Sequence, residues 1–264
     1  MKKPVKIILI ILLIACVGLF AFSGIKLLTQ LNEYKESREY YDQLSETYVQ
    51  VETTPEPAPG AEAVEVDETA VEKEICPITV DFDNLLATNN DVCGWLYSAG
   101  TKINYVVVQG TDNDNYLHHK LDGSYNAGGT LFIDCECGPN FSGANTIIYG
   151  HNMKDGSMFA SLHNYVDQSY YDAHPVMYIS TPAADYKVEI FSCFTCDYDA
   201  DTYTLSFASE AEYSAFLNKM VSQSNVKTNV AVDSTERIVT LSTCTYEYDN
   251  ARYVVMGKLV PIEK

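Results

Sequence analysis

An uninterrupted apolar run near the N-terminus constrains this chain more than any other feature. Residues 7–22 are sixteen consecutive apolar or small residues, and the run extends through Ser23 and Gly24 to Ile25. Nineteen helical residues, at about 1.5 Å of rise each, cover roughly 28 Å, close to the thickness of the hydrocarbon core of a bilayer. The sequence therefore predicts a transmembrane helix within residues 1–30.

The distribution of charge predicts how that helix is oriented. Lys2, Lys3 and Lys6 precede the apolar run, and the chain becomes acidic after Lys26. Because positively charged flanks stay on the cytoplasmic side, we expect a single-pass protein with a cytoplasmic N-terminus. The residues after Gln30 then lie outside the cell.

Two other interpretations of the apolar run are a cleaved signal peptide and a lipoprotein signal. The stretch Leu13-Ile14-Ala15-Cys16 resembles a bacterial lipobox, in which the cysteine becomes lipidated. The apolar run continues over residues 17–22, however, where a lipoprotein turns polar, and no clear small-residue cleavage site follows it. An uncleaved anchor is the favoured interpretation, and lipidation of Cys16 stays open.

Residues 31–75 are strongly acidic, with thirteen acidic and three basic side chains and a net charge of −10. The first part, through Glu46, can continue as a polar helix that leaves the membrane. Residues 53–60, Thr-Thr-Pro-Glu-Pro-Ala-Pro-Gly, cannot be helical and predict an extended, self-repelling spacer. A tether is the simplest purpose for residues 31–75, although disorder without a role fits the same composition.

Residues 76–264 are long enough for one domain with a substantial core. They carry 23 acidic and 10 basic residues, and the whole chain has a formal charge of −19. Binding to nucleic-acid phosphates needs clustered positive charge, so this composition excludes a role on DNA or RNA.

The pattern within this domain is dominated by short runs of β-branched and aromatic residues, which are typical of strands. The predicted strands cover residues 103–108, 130–134, 145–150, 176–181, 186–195, 238–243 and 252–260. Three helices are predicted: one beginning near Asp81, one following Ser157, and a long one at 209–224 that opens with the capping box Ser209-Glu210-Ala211-Glu212. Many strands with few helices predict a β-barrel or a β-sandwich.

Seven cysteines follow the apolar run, an odd number, so at least one is free or pairs with another chain. They are Cys76, Cys93, Cys135, Cys137, Cys193, Cys196 and Cys244. Cys193 and Cys196 have the spacing of a redox or zinc motif, but acidic residues follow where a reactive thiolate needs a positive environment. Structural cysteines, paired or buried, are therefore favoured there, and a metal or redox role is the alternative.

Cys244 ends a predicted strand, where alternation places its side chain on the same face as Thr240 and Ser242. A second predicted strand begins at Arg252, so a hairpin would lay Arg252 beside Cys244. A guanidinium in that position favours the thiolate and can donate hydrogen bonds to an oxyanion on an attacked carbonyl. Arg252 is one of two arginines in the domain; Arg237 is the other.

A cysteine nucleophile also needs a group that takes and returns its proton, and histidine commonly does this. The candidates are His118, His119, His151, His163 and His174. His151 directly follows the predicted strand at 145–150, and so lies at a strand end as Cys244 does. Its local pattern alone is that of an ordinary loop histidine.

Together these residues resemble the sortases, the membrane-anchored cysteine transpeptidases of Gram-positive bacteria, and class B most closely. The resemblance is carried by Thr240-Leu241-Ser242-Thr243-Cys244, by Arg252 at the head of an apolar strand, and by Tyr149-Gly150-His151-Asn152-Met153. The stretch Asn115-Tyr116-Leu117-His118 and the predicted helix at 209–224 support it. The similarity covers residues 80–262.

The resemblance implies a mainly β fold: a closed eight-stranded β-barrel with N-terminal helices and one long helix before the catalytic strands. It implies that Cys244 attacks the Thr carbonyl of a C-terminal sorting signal, of the Asn-Pro-x-Thr-x type, on a surface protein. The product of that attack is a thioacyl intermediate. His151 would protonate the leaving amine and then deprotonate the incoming amine of a peptidoglycan precursor or a pilin.

The same resemblance implies supporting roles for further residues. Arg252, with a backbone N–H near Thr245, would hold the oxyanion, and Ser242 lies on the strand face that could assist. Asn115 and Leu117 resemble substrate-groove positions. No metal and no cofactor are implied. The many cysteines depart from the sparse cysteines of most class B members, so structural disulfides and redox control stay open.

Three alternatives stand beside this interpretation. A secreted cysteine hydrolase would use the same Cys-His-Arg site with water in place of the amine, but papain-like enzymes place Cys before His, whereas His151 precedes Cys244. A non-catalytic surface protein would leave Cys244 unlabelled by an electrophilic sorting-signal analogue. A lipoprotein or redox protein would carry lipid on Cys16, or exchange thiols at Cys193 and Cys196.

Overall fold

A computed structural model describes residues 3–52 and 75–264 of the chain. The N-terminal part is one continuous helix followed by a short strand, and the second part begins with a short strand and a short helix. These elements are α1 (Lys3–Tyr48), β1 (Val49–Val51), β2 (Ile78–Val80) and α2 (Phe82–Thr88). Strands β1 and β2 pair antiparallel, so they join the two parts of the chain.

Eight further strands close into a barrel in the order β10-β8-β7-β3-β4-β5-β6-β9. The β4–β5 and β6–β9 pairs are parallel, and the other pairs are antiparallel. The strands are β3 (Val92–Tyr97), β4 (Asn104–Val108), β5 (Leu131–Ile133), β6 (Asn145–Tyr149), β7 (Val176–Ser180), β8 (Asp185–Asp197), β9 (Ile238–Cys244) and β10 (Ala251–Ile262). The closed eight-stranded barrel confirms the fold class expected from the sequence.

Within residues 75–264, two further α-helices and four 3-10 helices lie in the connections between strands. They are α3 (Gln168–Ala173) and α4 (Glu210–Gln223), with 3-10 helices at Asn115–Leu117, Pro139–Phe141, Phe159–Val166 and Asp201–Tyr203. Ser209 caps α4 as predicted, with its side chain accepting from the Glu212 N–H, and the Glu212 carboxylate returns to the N–H of Ala208, one residue before the N-cap position of the capping box. The predicted helix near Asp81 is confirmed as α2, which Asp81 caps.

The sequence interpretation missed α3 and strand β3, and it mistook the type of one helix. β3 is a run of mostly buried residues with a register shift between Val92 and Gly94, so it lacks the alternation that marks a half-buried strand. The helix predicted after Ser157 is the 3-10 helix Phe159–Val166, which begins after Met158 takes a positive φ of 53°.

Two hydrophobic cores hold the fold together. The larger one includes the barrel interior, where alternate residues such as Leu241 and Tyr253 point inward. The second lies between α4 and the outer face of β8, β9 and β10, and contains Phe216, Val254 and Met256. Successive residues of β10 point to opposite faces of the sheet, and each face contacts a different core. Arg252 therefore lies on the same face as Val254 and Met256.

The two halves of α1 have different surroundings. Residues 10–32 of this helix are exposed, and the helix contains an apolar 18-residue window with a mean hydropathy of 2.4, none of it buried. In its C-terminal half, Ser37, Tyr41 and Leu44 are buried against the domain. The segment 31–75, predicted as a tether, therefore includes residues that pack with the barrel. The proline-containing stretch 53–60 lies outside the described residues.

Candidate active site

Three strand ends meet at one edge of the barrel. Because β6 and β9 run parallel, their C-terminal ends lie side by side, and their pairing ends with Tyr149 opposite Ser242. β10 begins beside the end of β9, with Arg252 directly opposite Cys244. This register agrees with the hairpin predicted from the sequence.

A cavity of about 260 Å³ opens at this edge. Its wall combines the predicted catalytic residues with several aromatic side chains: Asn113, Leu117, Phe132, Tyr149, Gly150, His151, Tyr198, Tyr203, Ser242, Thr243, Cys244 and Arg252. The structure therefore brings His151, Cys244 and Arg252 into one cavity from three different elements.

Hydrogen bonds continue the β6–β9 contact beyond the last strand pair. The Gly150 N–H donates to the Ser242 carbonyl at 3.1 Å, and the Thr243 hydroxyl donates to the Gly150 carbonyl at 2.8 Å. Beyond them, the Asn152 side-chain amide donates to the Cys244 carbonyl at 2.8 Å. The backbone on both sides of His151 is therefore fixed to the backbone of the cysteine strand.

Gly150 leaves room for this approach. A Cβ atom at this position would lie 2.6 Å from the ring of Phe159 and would also collide with Leu131. The residue before His151 must therefore be small, and the backbone can bend here toward the cysteine strand.

His151 is half-buried, and its imidazole has a defined orientation. Its Nε2 lies 2.8 Å from the carbonyl oxygen of Leu117, which can only accept, so Nε2 carries the proton and donates it. Burial lowers the pKa of His151, and the stacked ring of His118, 6.1 Å away, lowers it further, while the bond to Leu117 opposes both. The lowered pKa favours the neutral imidazole, in which Nδ1 is unprotonated.

Arg252 has hydrogen-bonding capacity to spare. Its Nη1 donates to the carbonyls of Ala251 at 3.1 Å and Asn250 at 3.3 Å. None of the ion pairs formed within residues 3–52 and 75–264 includes Arg252. Its positive charge is therefore not neutralised by a carboxylate of the described chain, and its other N–H groups remain available to a ligand.

Ser242 is buried, and its hydroxyl lies 2.8 Å from the phenol oxygen of Tyr203. The Tyr203 ring stacks on Tyr149 with centroids 6.3 Å apart, and its hydroxyl lies 4.0 Å from the sulfur of Cys196. Burial raises the pKa of Tyr203, so its hydroxyl stays protonated. Ser242 therefore lines the cavity together with Tyr203, its hydrogen-bond partner.

The remaining predicted site residues separate into two groups. Leu117 lines the cavity, but Asn115 does not: it lies on the preceding turn, and its carbonyl accepts from His119 Nδ1 at 2.7 Å. Thr245 is buried, and its N–H donates to the Ala251 carbonyl at 3.1 Å, so it is not free to bind an oxyanion. Asn113, which the sequence interpretation missed, lines the cavity, and its amide donates to Asp134 at 3.0 Å.

The other cysteines lie apart from the cavity. All eight are free thiols, and Cys193 and Cys196 are buried on β8. Cys196 pairs with Arg252 across the β8–β10 ladder, so Arg252 has a cysteine on each neighbouring strand. Over the described ranges 3–52 and 75–264, no group of three or more His, Cys, Asp or Glu side chains is placed to hold a metal ion.

Comparison with known proteins places this geometry in a family. A family model described as Sortase domain matches residues 98–260. Sortase B from Listeria monocytogenes is 36% identical over 251 residues, which cover 94% of this chain and 95% of that protein. The structure of sortase B from Bacillus anthracis superposes with a TM-score of 0.71 and 33% identity, covering 88% of this chain and 99% of that one. A Staphylococcus aureus sortase B–substrate complex gives a TM-score of 0.66 and 30% identity, covering 69% and 85%.

The chain therefore belongs to the sortase family, which consists of cysteine transpeptidases. Within that family it is a class B sortase, as its relatives and its structural neighbours are. Its apolar N-terminal helix, long enough to cross a membrane, is consistent with this assignment.

Proposed function

We propose that the cavity is the transpeptidase active site, with Cys244 as nucleophile, His151 as proton shuttle and Arg252 as oxyanion donor. The observation that carries the proposal is that these three side chains, and their supporting hydrogen bonds, meet in one cavity. A nucleophile, a base oriented by a third group and a cationic donor are the parts that acyl transfer requires.

The orientation of His151 supports one of its nitrogens as the atom that carries the proton steps. Since Nε2–H donates to the Leu117 carbonyl, Nδ1 is the nitrogen that can take the thiol proton of Cys244. The thiolate then attacks the carbonyl carbon, and the tetrahedral intermediate expels the amine with the proton returned by Nδ1. In the second half-reaction, Nδ1 takes a proton from the incoming amine, which attacks the thioester and releases Cys244.

Arg252 stabilises the oxyanion of both tetrahedral intermediates in this proposal. Its Nε and Nη2 hydrogens are available, whereas the N–H of Thr245 is bonded to Ala251. The oxyanion role that the sequence interpretation divided between Arg252 and a backbone N–H near Thr245 is therefore assigned to Arg252.

The substrate in this proposal is the C-terminal sorting signal of a surface protein, of the Asn-Pro-x-Thr-x type, cleaved at the Thr carbonyl. Leu117, Phe132 and Tyr149 give the cavity an apolar side, and Asn113 adds an amide. A mixed wall of this kind suits a short peptide that carries both apolar and amide groups. The structure of a substrate complex of the S. aureus relative supports binding of a substrate by the same fold.

The acceptor is the amine of a peptidoglycan precursor or of a pilin. A secreted cysteine hydrolase remains the alternative, because water can resolve the same thioester. A non-catalytic surface protein is the more distant alternative.

In the cell, α1 would place the enzyme in the membrane as a single-pass protein. The lysines before the apolar run favour a cytoplasmic N-terminus and an extracellular barrel. Protease protection of the N-terminus in sealed vesicles tests this orientation, and digestion of the N-terminus while the barrel stays protected would reverse it.

The proposed chemistry is tested with the full chain in detergent and a fluorescent Asn-Pro-x-Thr-x peptide library. We expect cleavage after Thr, a thioacyl adduct on Cys244 by mass spectrometry, and a transpeptidation product when triglycine is added. Cys244→Ala, His151→Ala and Arg252→Ala should each lose at least about 100-fold in kcat/KM.

Matched controls come from residues of the same types outside the cavity. Cys135→Ala and His174→Ala should retain turnover, since neither residue lines the site. Near-normal cleavage by Cys244→Ala would refute the proposal. An acid product at the same rate with or without triglycine would favour the hydrolase.

A further inference from the structure

Tyr41 connects the juxtamembrane half of α1, residues 34–48, to a loop of the barrel. Its side chain is 3% exposed, and its hydroxyl donates to the Gly129 carbonyl at 2.6 Å and lies 2.8 Å from the Thr130 hydroxyl. Burial raises the pKa of Tyr41, so the hydroxyl keeps the proton that it donates. Ser37, one turn earlier, is buried against Gly128.

Gly129 in turn lies directly against the carbonyl group of Leu117. A Cβ atom on Gly129 would lie 2.6 Å from the Leu117 oxygen and would collide with the Tyr116 oxygen. Gly129 also has a φ of +55°, which glycine adopts without strain. The Thr130 N–H donates to the Tyr116 carbonyl at 2.9 Å, which fixes the two segments to each other.

The Leu117 carbonyl is the acceptor that orients His151. The path from the anchor helix to the imidazole is therefore short: the Tyr41 hydroxyl, the Gly129 backbone, the Leu117 carbonyl and the Nε2 of His151. Groups that bond the second nitrogen of a histidine decide its tautomer and its ring orientation.

A second contact of Tyr41 leads to the other side of His151. The rings of Tyr41 and Tyr105 meet edge to face with centroids 5.6 Å apart. The Tyr105 hydroxyl accepts from the Met158 N–H at 3.0 Å, and Met158 is bridged to Asn152, the neighbour of His151.

We propose that Tyr41 is a positioning residue for His151: from the anchor helix, it fixes the Leu117 carbonyl that holds the imidazole in its Nε2–H tautomer. The helix α1 thus has two roles: its apolar half attaches the enzyme to the membrane, and its juxtamembrane half positions a catalytic residue. The inference rests on the proposed role of His151 in transpeptidation.

If Tyr41 had a merely structural role, Tyr41→Phe would lower the melting temperature without changing the tautomer of His151 or kcat. Tyr40, the neighbouring residue, provides the matched control, because its hydroxyl accepts from the Asp122 N–H at 3.2 Å at the far end of the same loop. Both variants keep the ring and remove a helix-to-loop contact: Tyr40→Phe removes the bond from the Asp122 N–H, and Tyr41→Phe removes the contacts of its hydroxyl with Gly129 and Thr130. Of the two hydroxyls, that of Tyr41 bonds to Gly129, so we expect Tyr41→Phe alone to affect the Leu117 carbonyl.

The experiment uses the full chain in lipid nanodiscs, with ¹⁵N-labelled histidine. Long-range ¹H–¹⁵N spectra report the tautomer of His151, and steady-state cleavage of the sorting-signal peptide reports kcat and KM. We expect Tyr41→Phe to populate the Nδ1–H tautomer and to lower kcat about tenfold with KM changed less than about twofold. Tyr40→Phe should retain both the tautomer and kcat.

The possible results distinguish a positioning role of Tyr41 from a merely structural role. A lower melting temperature for Tyr41→Phe with an unchanged tautomer and kcat would overturn the inference, as would equal losses of kcat in both variants. A shifted tautomer in Tyr41→Phe, with full turnover in both Tyr41→Phe and His151→Ala, would support the positioning role and refute the proposed function of His151.

Discussion

Arg252 lies directly opposite Cys244 across the antiparallel β9–β10 pair, so the guanidinium and the thiol leave the sheet on the same face. Cys196 pairs with Arg252 from the other side, on β8. The result is a row of three side chains, Cys196, Arg252 and Cys244, with the cation in the middle. The register of a rigid sheet, rather than a loop, therefore sets the distance between the Cys244 thiol and the Arg252 guanidinium.

The first prediction concerns the shape of that cation. Arg252→Lys keeps the charge but replaces a planar group with five donors by a point charge with three. We expect kcat to fall about 10²-fold with a smaller change in KM, because the lost hydrogen bonds act on the oxyanion. Steady-state cleavage of the sorting-signal peptide measures both constants.

Arg237→Lys is the matched control, since Arg237 donates to the Phe141 carbonyl at 2.8 Å outside the cavity. It should retain kcat. If Arg252→Lys had the activity of the parent, charge alone would account for the contribution of Arg252.

The second prediction concerns Asn152, which links the histidine loop to the cysteine strand. Asn152→Asp keeps the shape of the side chain but replaces the donor by a carboxylate facing the Cys244 carbonyl. We expect a loss of about 10- to 100-fold in kcat, because the spacing of His151 and Cys244 is no longer fixed. The rate of Cys244 alkylation by iodoacetamide should change in parallel.

Asn164→Asp, an equivalent change on the exposed face of the 3-10 helix, should leave both rates as they are. Parent-like alkylation and turnover in Asn152→Asp would show that the backbone bonds at Gly150 suffice to keep the two strands in place.

The third prediction is the pH dependence that follows from the lowered pKa of His151. Once His151 is protonated, no base is left for the thiol of Cys244, so activity falls on the acid side. Since burial lowers this pKa below the ordinary value of 6.5, the acid limb of kcat/KM should have its midpoint below pH 6.5.

The free energy of unfolding should also fall as the pH falls. The unfolded chain binds the His151 proton more readily than the folded one, so this contribution is complete above pH 6.5 and is lost as the pH falls from 6.5 through the lower pKa of the folded state. His118→Gln removes the stacked imidazole that also lowers the pKa, and should move the acid limb toward pH 6.5. An acid limb above pH 6.5 in the parent would contradict the assignment.

The parts of the site that lie on strands could be predicted from the sequence, because side chains on a strand alternate between its two faces with a period of two residues. The hairpin from Cys244 to Arg252 follows from alternation and a short loop. Residues on loops have no such period: Asn115 rests only on its resemblance to a substrate-groove position, and the sequence interpretation does not include Asn113, which lines the cavity. The oxyanion role of a backbone N–H near Thr245 stays a prediction, and the sequence cannot show that the N–H of Thr245 itself donates to the Ala251 carbonyl.

Contacts between distant segments were also beyond the sequence. Residues up to Glu46 were expected to form a polar helix, and the helix is present, but its packing was not expected. Tyr41 meets Gly129 across 88 residues of chain, and neither residue carries a local signal of that contact. Tyr203 is a similar case, since its partner Ser242 lies 39 residues away.

The fourth prediction concerns this Tyr203–Ser242 pair. Tyr203→Phe leaves the buried Ser242 hydroxyl without its partner and should cost about 1–3 kcal/mol of unfolding free energy. Because the two hydroxyls pair with each other, the double variant Tyr203→Phe/Ser242→Ala should cost less than the sum of the single variants. Chemical denaturation in detergent measures the three values, and strict additivity would show that the bond contributes nothing.

The fifth prediction locates the N-terminal boundary of the folded enzyme. Tyr41, Leu44 and Val49 are buried against the domain, and at about 1.5–3 kcal/mol each they contribute about 5–9 kcal/mol. That is comparable with the total stability of a domain, about 5–15 kcal/mol.

A chain starting at residue 76 also lacks β1, the partner of β2, so it should be unfolded or strongly destabilised. A chain starting at residue 32 keeps these contacts and should match the full chain in melting temperature and in turnover of a soluble peptide. Equal melting temperatures for the chains starting at 32 and 76 would place the boundary at residue 75 and reduce residues 32–52 to a linker.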